Sequence, residues 1–407
     1  IRTAGQCSRG ALERRGLFGV ALKLWERRTQ EVCGEKTFVA FLLLAWVQLS
    51  MPNPSCRVAW YNGAMPAIVQ AKNHAHLKTL VAWEIKHHGP TCDLNHIDVS
   101  GLDSLESLFQ HSAFNGDVSR WAVSNVKNFA ALFACSEFNG DISHWNVSSA
   151  STMDYMFQRS RFNGDISNWD VSNVQGMNQM FQESQFTGDL SRWDVSSVSF
   201  FAAMFADSVF NGDVSNWNIK SAETLRRMFG GSRFNNDLSK WNTSKVEDMA
   251  YLFQNSFFNG DISQWDVRHV ELMEHMFAGS AFDGDISCWR PERVHAAQYM
   301  FSTSNFNGDL SRWRLPNLST ATCMFDGAAF AGDLSSWDLS QLQPVSRQNM
   351  FSSTFQGVLP RVSNHFEERR LFYTNMLRVG RGSKGLVAYL TRTDFNAVHF
   401  DLASNSK

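Results

Sequence analysis

The sequence predicts an α/β repeat solenoid in which every turn is 24 residues long and holds one short strand and one short helix. Three observations lead there. Trp121, Trp145, Trp169, Trp193, Trp217 and further Trp residues up to Trp337 stand 24 apart. Two Phe series keep the same step, Phe109 to Phe325 and Phe114 to Phe330, and so does an Asp series that begins Asp117, Asp141, Asp165, Asp189 and ends at Asp333. No insertion or deletion breaks the step across ten copies. Self-similarity at a period of about 20 to 50 residues marks stacked repeats, because a lone copy cannot bury its apolar face.

Within a copy, Ile166, Trp169 and Val171 are apolar residues in a β-prone stretch, which reads as a short strand. Ser172 is placed as a helix N-cap, and Val174, Met177 and Phe181 follow at i, i+3 and i+7, one face of a short helix. Ser184 and Phe186-Thr187-Gly188-Asp189 turn the chain back. One strand and one short helix per turn is the leucine-rich-repeat-like pattern. Stacked at about 4.8 Å, ten copies would extend about 45 to 50 Å.

Four regions follow in order. Residues 1–64 form a doubtful upstream or signal-like segment, with a 12-residue apolar run from Phe38 to Leu49. That run is too short to cross a bilayer, which needs about 18 to 20 residues. It fits a signal-peptide core, a buried apolar segment or a stretch outside the native protein; Met65 is the expected functional start. Residues 65–108 read as an N-terminal capping helix, with Leu77, Leu80, Val81 and Ile85 on one face, Gly89-Pro90 at its end, and then a worn half-copy. Ile97 takes the Trp place of that half-copy. Residues 109–358 are the repeats, and Met350-Phe351 arrives two residues late. Residues 359–407 read as a C-terminal cap and tail, with a helix over His365 to Leu377 and a strand over Leu386 to Leu390.

Composition narrows the function. Apolar residues make up 43% and charged residues 19%, which describes a folded chain and not a disordered one. A net charge of -2 gives no reason to expect nucleic acid or an acidic membrane surface as a partner. There are seven Cys, an odd number, of which Cys135, Cys288 and Cys323 occupy three different positions of the repeat, and all seven are expected as free thiols. There is no phosphate-binding glycine loop, nucleophile elbow or paired carboxylates outside the ladder, so neither an enzyme nor a cofactor is expected. His74, His76, His87, His88, Cys92 and His96 are dense but match no zinc spacing, so no metal site is assigned.

The repeated residues have a structural role first. Stacked Trp and Phe rings form the core, since so many rings facing water would aggregate. Gly precedes Asp in nine of ten copies, and Gly and Asn236 suit a positive φ, so each Asp is expected to accept backbone N–H bonds in a turn. The alternative is a calcium-stabilised rod with the Asp ladder as ligand, although one carboxylate per turn is sparse.

The wording FNGDISxWDVSxVxxMxxMF, from Phe138 to Phe157 and from Phe162 to Phe181, resembles the BspA-type leucine-rich-repeat surface protein family, which includes mycoplasma-type surface lipoprotein repeats. The opening HGPTCDLNHIDVSGLDSLESLF, His88 to Phe109, is similar to bacterial members. The resemblance implies a right-handed solenoid, at the cell surface or secreted, that binds a protein partner without catalysis. Cys56 lies in Asn-Pro-Ser-Cys, unlike the lipid-attachment site of lipidated members. The expected partner is a protein of unknown identity, the chain is expected to be monomeric, and no membrane span is expected. The expected contact face is the outward place before each Trp, with Arg120, His144, Arg192, Lys240 and Arg312 as a mildly basic stripe. The competing reading of that row is a solvated face that offsets the Asp ladder.

Overall fold

A computed structural model describes residues 68–360, apart from 341, 344, 353 and 354. The apolar run of Phe38 to Leu49, the Met65 start, the helix over His365 to Leu377 and the strand over Leu386 to Leu390 lie outside the described residues.

The chain enters through β1 (Val69–Gln70), α1 (His74–His88) and β2 (Ile97–Asp98), with β1 and β2 parallel. The α1 helix begins where Asn73 accepts a bond from the His76 N–H, at 2.9 Å, satisfying one of the orphan donors of the first turn. It ends at Gly89, whose φ of 88° suits a residue without Cβ. Leu77 and Val81 are buried, and Leu80 and Ile85 pack partly against the core. The worn half-copy follows with Leu94, Ile97, Val99, Leu102 and Leu105 buried, and its Leu94 N–H reaches the Asp117 carbonyl of the first full turn.

From there each 24-residue turn lies directly against the next, but neither expected element is present as such. Where a short helix was expected, over Val174 to Phe181, the chain makes a run of β-turns. The N–H groups of Met177, Gln179 and Phe181 donate to the carbonyls of Phe200, Ala202 and Met204, one turn on. The alternate N–H groups, of Met180 and Gln182, donate to residues three back, Met177 and Gln179. No i to i−4 helical ladder forms, because half of the donors are held by the neighbouring turn. Closing the local turns requires a left-handed residue, and Gln179 and Glu183 have φ of 55° and 53°. Val174, Met177, Met180 and Phe181 are still all buried, so the run presents the same apolar spacing that a helix would. Ser172 accordingly caps no helix; its N–H and hydroxyl both bond to Asp170 in a local turn.

Over Ile166 to Val171 the inward and outward sides alternate as expected, with Trp169 and Val171 buried and Asn168 and Asp170 exposed. The stretch is nevertheless a turn, closed by the Trp169 N–H on the Ile166 carbonyl at 3.1 Å. The cross-turn bond is made by a side chain. The Trp169 indole N–H donates to the Ile142 carbonyl of the preceding turn, and the same bond recurs from Trp121 to Trp337 at 3.0 to 3.1 Å.

The core is three stacked ring columns. Neighbouring rings of the Phe109 series stack with centroids 5.5 Å apart at Phe109–Phe133, those of the Phe114 series 6.1 Å apart at Phe114–Phe138, and the Trp rings 6.4 Å apart at Trp121–Trp145. Trp121, Trp145, Trp169, Trp193 and Trp217 are 3 to 4% exposed, so they belong to the core and offer no aromatic platform to a ligand. Buried Ser residues such as Ser208 donate to the carbonyl three back and accept from the Phe N–H two ahead, which satisfies the turn inside the core. Near the end of the stack the register lengthens: Phe351 bridges to Phe325 around a 3₁₀ turn at Val345–Arg347, and their rings stack at 5.4 Å.

The Gly before each Asp has a different cause from the expected one. Gly140 and Gly164 do not have positive φ. A Cβ on Gly164 would lie 2.9 Å from the ring edge of Phe162, so the place is small because the Phe folds back over it. Asn236 fills that place once and uses its amide to donate to the Asn211 and Gly212 carbonyls of the preceding turn.

Candidate interaction surface

Two exposed surfaces follow from this construction. The first carries the Asp ladder and the place before each Trp. Asp117, Asp141, Asp165 and Asp189 are exposed, and each accepts the N–H of the Ser two residues on at 2.8 to 2.9 Å. That bond, together with the Ser hydroxyl, holds the carboxyls of Asp141, Asp165 and Asp189 below the usual carboxylate range. Arg120, His144, Arg192, Lys240 and Arg312 are exposed, three residues after their Asp partners. After the Ser bonds and against some desolvation, His144, Arg192, Lys240 and Arg312 further lower Asp141, Asp189, Asp237 and Asp309. Asp117 is held low against its own burial by Ser119, Asn95 and Arg120. The basic row therefore lies in the field of the Asp ladder, which offsets its charge. Beside the ladder, the Asn139 side chain accepts the Asn163 N–H of the next turn at 2.8 Å, and Asn235 and Asn259 repeat this bond.

The histidines near the entry are held by local partners. His96 Nε2 lies 2.9 Å from Glu84 Oε1, His87 Nδ1 2.7 Å from the Trp83 carbonyl and His74 Nδ1 3.1 Å from the Ser104 carbonyl. Among the described residues no group of three or more His, Cys, Asp or Glu is arranged to hold a metal.

The second surface lies along the β-turn run, where a backbone ladder joins the turns and side-chain bonds such as Asn178 N–H to Asp154 and Arg159 to Glu183 are added in some of them. Across four consecutive turns aromatic and charged side chains gather into one patch. The rings of Tyr251, His275 and Tyr299 stack at centroid distances of 4.7 and 4.6 Å, nearly parallel at 12° and 11°. The Arg226 guanidinium lies over the Tyr251 ring at 4.9 Å and within 3.5 Å of both Asp248 and Glu274. Burial pushes the Asp248 carboxyl up, and burial pushes the His275 imidazole down. Glu274 Oε2 and Gln298 Oε1 are buried acceptors without a hydrogen-bond partner. The sequence reading passed over this patch because its members are far apart along the chain. Reading down a column, Tyr251, His275 and Tyr299 are aromatic at successive 24-residue steps.

A family model described as "Mycoplasma protein of unknown function, DUF285" matches residues 84–185, 160–257 and 255–359. These spans overlap and run unbroken over more than half of the chain. The chain belongs to that family. Each matched span takes in about four of the stacked turns, so the family unit is itself a group of repeats. No curated protein and no solved structure matches the chain. No helix among the described residues is long and apolar enough to cross a membrane.

Proposed function

We propose that this member of the family is a solenoid of leucine-rich-repeat-like design that binds other proteins and carries out no catalysis, at the cell surface or after secretion. One observation carries the reading. The polar groups that recur along the stack are engaged inside it: the indole N–H with a carbonyl of the preceding turn, Asp with the Ser N–H of its own turn, and in most turns Asn with the N–H of the next. What varies from turn to turn faces outward. A scaffold with constant columns inside and variable columns outside suits recognition of an extended partner surface. The basic row of Arg120, His144, Arg192, Lys240 and Arg312 is one such outward face, and Arg residues are favoured as interface anchors.

Capture from host-cell surface extracts by the immobilised full chain tests the reading, with Arg192→Glu, Lys240→Glu and Arg312→Glu combined as the contrast. Specific, salt-sensitive capture that weakens in the triple variant is expected. The same partners held equally well by the variant would remove the basic row from the interface. No saturable capture by either protein would overturn the function.

A further inference from the structure

The patch on the β-turn run already contains the chemistry of a cation site. Arg226 shows a guanidinium seated over one ring of the stack with two carboxylates at 3.5 Å. The stack then continues through His275 to Tyr299, which is 37% exposed. Aromatic rings attract cations, and a cation on the exposed part of Tyr299 would use the same attraction that seats Arg226 over Tyr251.

The charge around the patch has the matching sign. Glu223, Glu247 and Glu271 are exposed and stand in one column. The Glu247 N–H donates to the Glu223 carbonyl at 2.9 Å and the Glu271 N–H to the Glu247 carbonyl at 2.8 Å, so their backbones are in neighbouring turns. Like charges at that spacing repel and favour a cationic counterpart. With Asp248 and Glu274, the carboxylates outweigh Arg226, while Arg227 is paired with Asp207 at 2.9 Å. Positive φ at Tyr251, His275 and Tyr299 is shared with the equivalent residue of every turn and gives no added support.

We propose that this patch docks a basic segment of a partner protein, with an Arg or Lys side chain laid against the exposed part of Tyr299 and answering the exposed carboxylates of Glu247 and Glu271. The proposal names the partner chemistry of a protein-binding scaffold and rests on that reading. Three steps between turns, at about 4.8 Å each, match about four to five residues of extended peptide. A neutral oligosaccharide could also lie on stacked rings, but it would leave the surplus carboxylates unanswered.

The test is fluorescence anisotropy of a labelled hexa-arginine peptide titrated with the full chain, beside a labelled neutral maltohexaose. Saturable binding of the peptide alone is expected. Tyr299→Ala should weaken it at least threefold, and Glu247→Gln, Glu271→Gln and Glu274→Gln together at least tenfold. Tyr155→Ala, at the equivalent place four turns before Tyr251, should leave it unchanged. Melting temperatures of the variants within a few degrees of the parent confirm that folding is preserved, and Tyr299→Phe should restore the affinity if the ring acts as a platform. Absence of peptide binding, equal binding by all variants, or maltohexaose binding with the same residue dependence would each overturn the proposal. Specific extract capture by the full chain together with no peptide binding would refute this site while leaving the protein-binding reading intact.

Discussion

On the Trp side of each turn, the recurring bonds to the neighbouring turn come from side chains; on the β-turn run they come from a backbone ladder, to which side chains such as Asp154, Asn178 and Arg159 add bonds in some turns. The Trp217 indole N–H reaches the Leu190 carbonyl at 3.0 Å, and the Asn259 side chain accepts the Asp283 N–H at 2.9 Å. Across the molecule, the Arg227 N–H reaches the Ala250 carbonyl at 2.8 Å, and any residue but Pro could supply that N–H. The difference explains the uneven sequence. Residue identity is pinned where a particular side chain bonds the next turn, and it drifts where only the peptide unit does. The drifting side can acquire a recognition surface without loosening the stack, and the Tyr–His–Tyr patch lies there.

The sharpest way to break this comparison is Trp217→Ala. It removes a ring buried at 3% exposure and the bond that ties the Leu190 carbonyl to the next turn, leaving that carbonyl only the Trp193 N–H of its own turn. A loss of about 3 to 5 kcal/mol is expected, as for large aromatic core residues. Because repeats couple mainly to their neighbours, denaturant unfolding should then separate into two phases. Arg227→Ala, on the other side, keeps its backbone bond and should shift stability by no more than about 0.5 kcal/mol. Similar losses from the two would mean that side chains and backbone share the cross-turn bonding equally on both sides.

Much of this was legible in the sequence, and the misses have physical causes. The Trp and Phe columns were legible because an unbroken period leaves equivalent residues with equivalent neighbours. The β-turn run was taken for a helix because Val174, Met177 and Phe181 are buried at a spacing that both conformations produce. What separates them is the partner of each N–H, and a single chain segment does not show that partner. The capping helix was legible because its N-cap Asn73 and its Gly89 end are local signals. The Gly before Asp was assigned to backbone freedom when its cause is the folded-back Phe ring, a contact two residues away but invisible to a propensity argument.

Gly164→Ala sharpens that last point. The new Cβ would meet the Phe162 ring at 2.9 Å, and overpacking of this kind costs about 1 to 3 kcal/mol. An unchanged melting temperature would show that the ring can move aside, as some adjustment must allow Asn236 in its own turn.

On acidification, Asp248 of the β-turn run takes up its proton first and the Trp-side carboxyls follow, with opposite effects on stability. The Ser N–H bonds hold Asp141, Asp165, Asp189 and Asp213 below the ordinary value of 3.8. A carboxyl lowered in the folded state stabilises it above the unfolded value and loses that contribution as pH falls through the folded value. Asp248, raised by burial, has the opposite sign: its contribution is complete below the ordinary value and is lost as pH rises through the raised one. Melting temperature should fall as pH drops below about 3.8, and Asp248→Asn should stabilise the protein near neutral pH but have little effect in acid. Melting curves from pH 2.5 to 7, taken as about the carboxylate range, check both signs. A melting temperature that rises with acid would reverse the assignment.

The smallest expected effect lies on the β-turn run, and its sign is the informative part. The second left-handed place of each turn holds Glu183, Asp207, Gly231, Asn255, Gly279, Thr303 and Gly327 in successive copies. Thr303 is β-branched at φ 54°, the least suitable residue type in that series. The left-handed conformation costs an L-residue about 1 to 2 kcal/mol, part of which Gly gives back through its greater freedom in the unfolded chain. Thr303→Gly should therefore stabilise the protein by about 0.5 to 1 kcal/mol, since its N–H bond to the Asp326 carbonyl is kept. Gly279→Ala should do the reverse, because it adds a Cβ at φ 64° and 2.3 Å from Asn255 Oδ1. If chemical denaturation gave both substitutions the same sign, the run would not be held left-handed at these places. Opposite signs would show that backbone conformation, and not the identity of the side chain, is what this side of the stack requires.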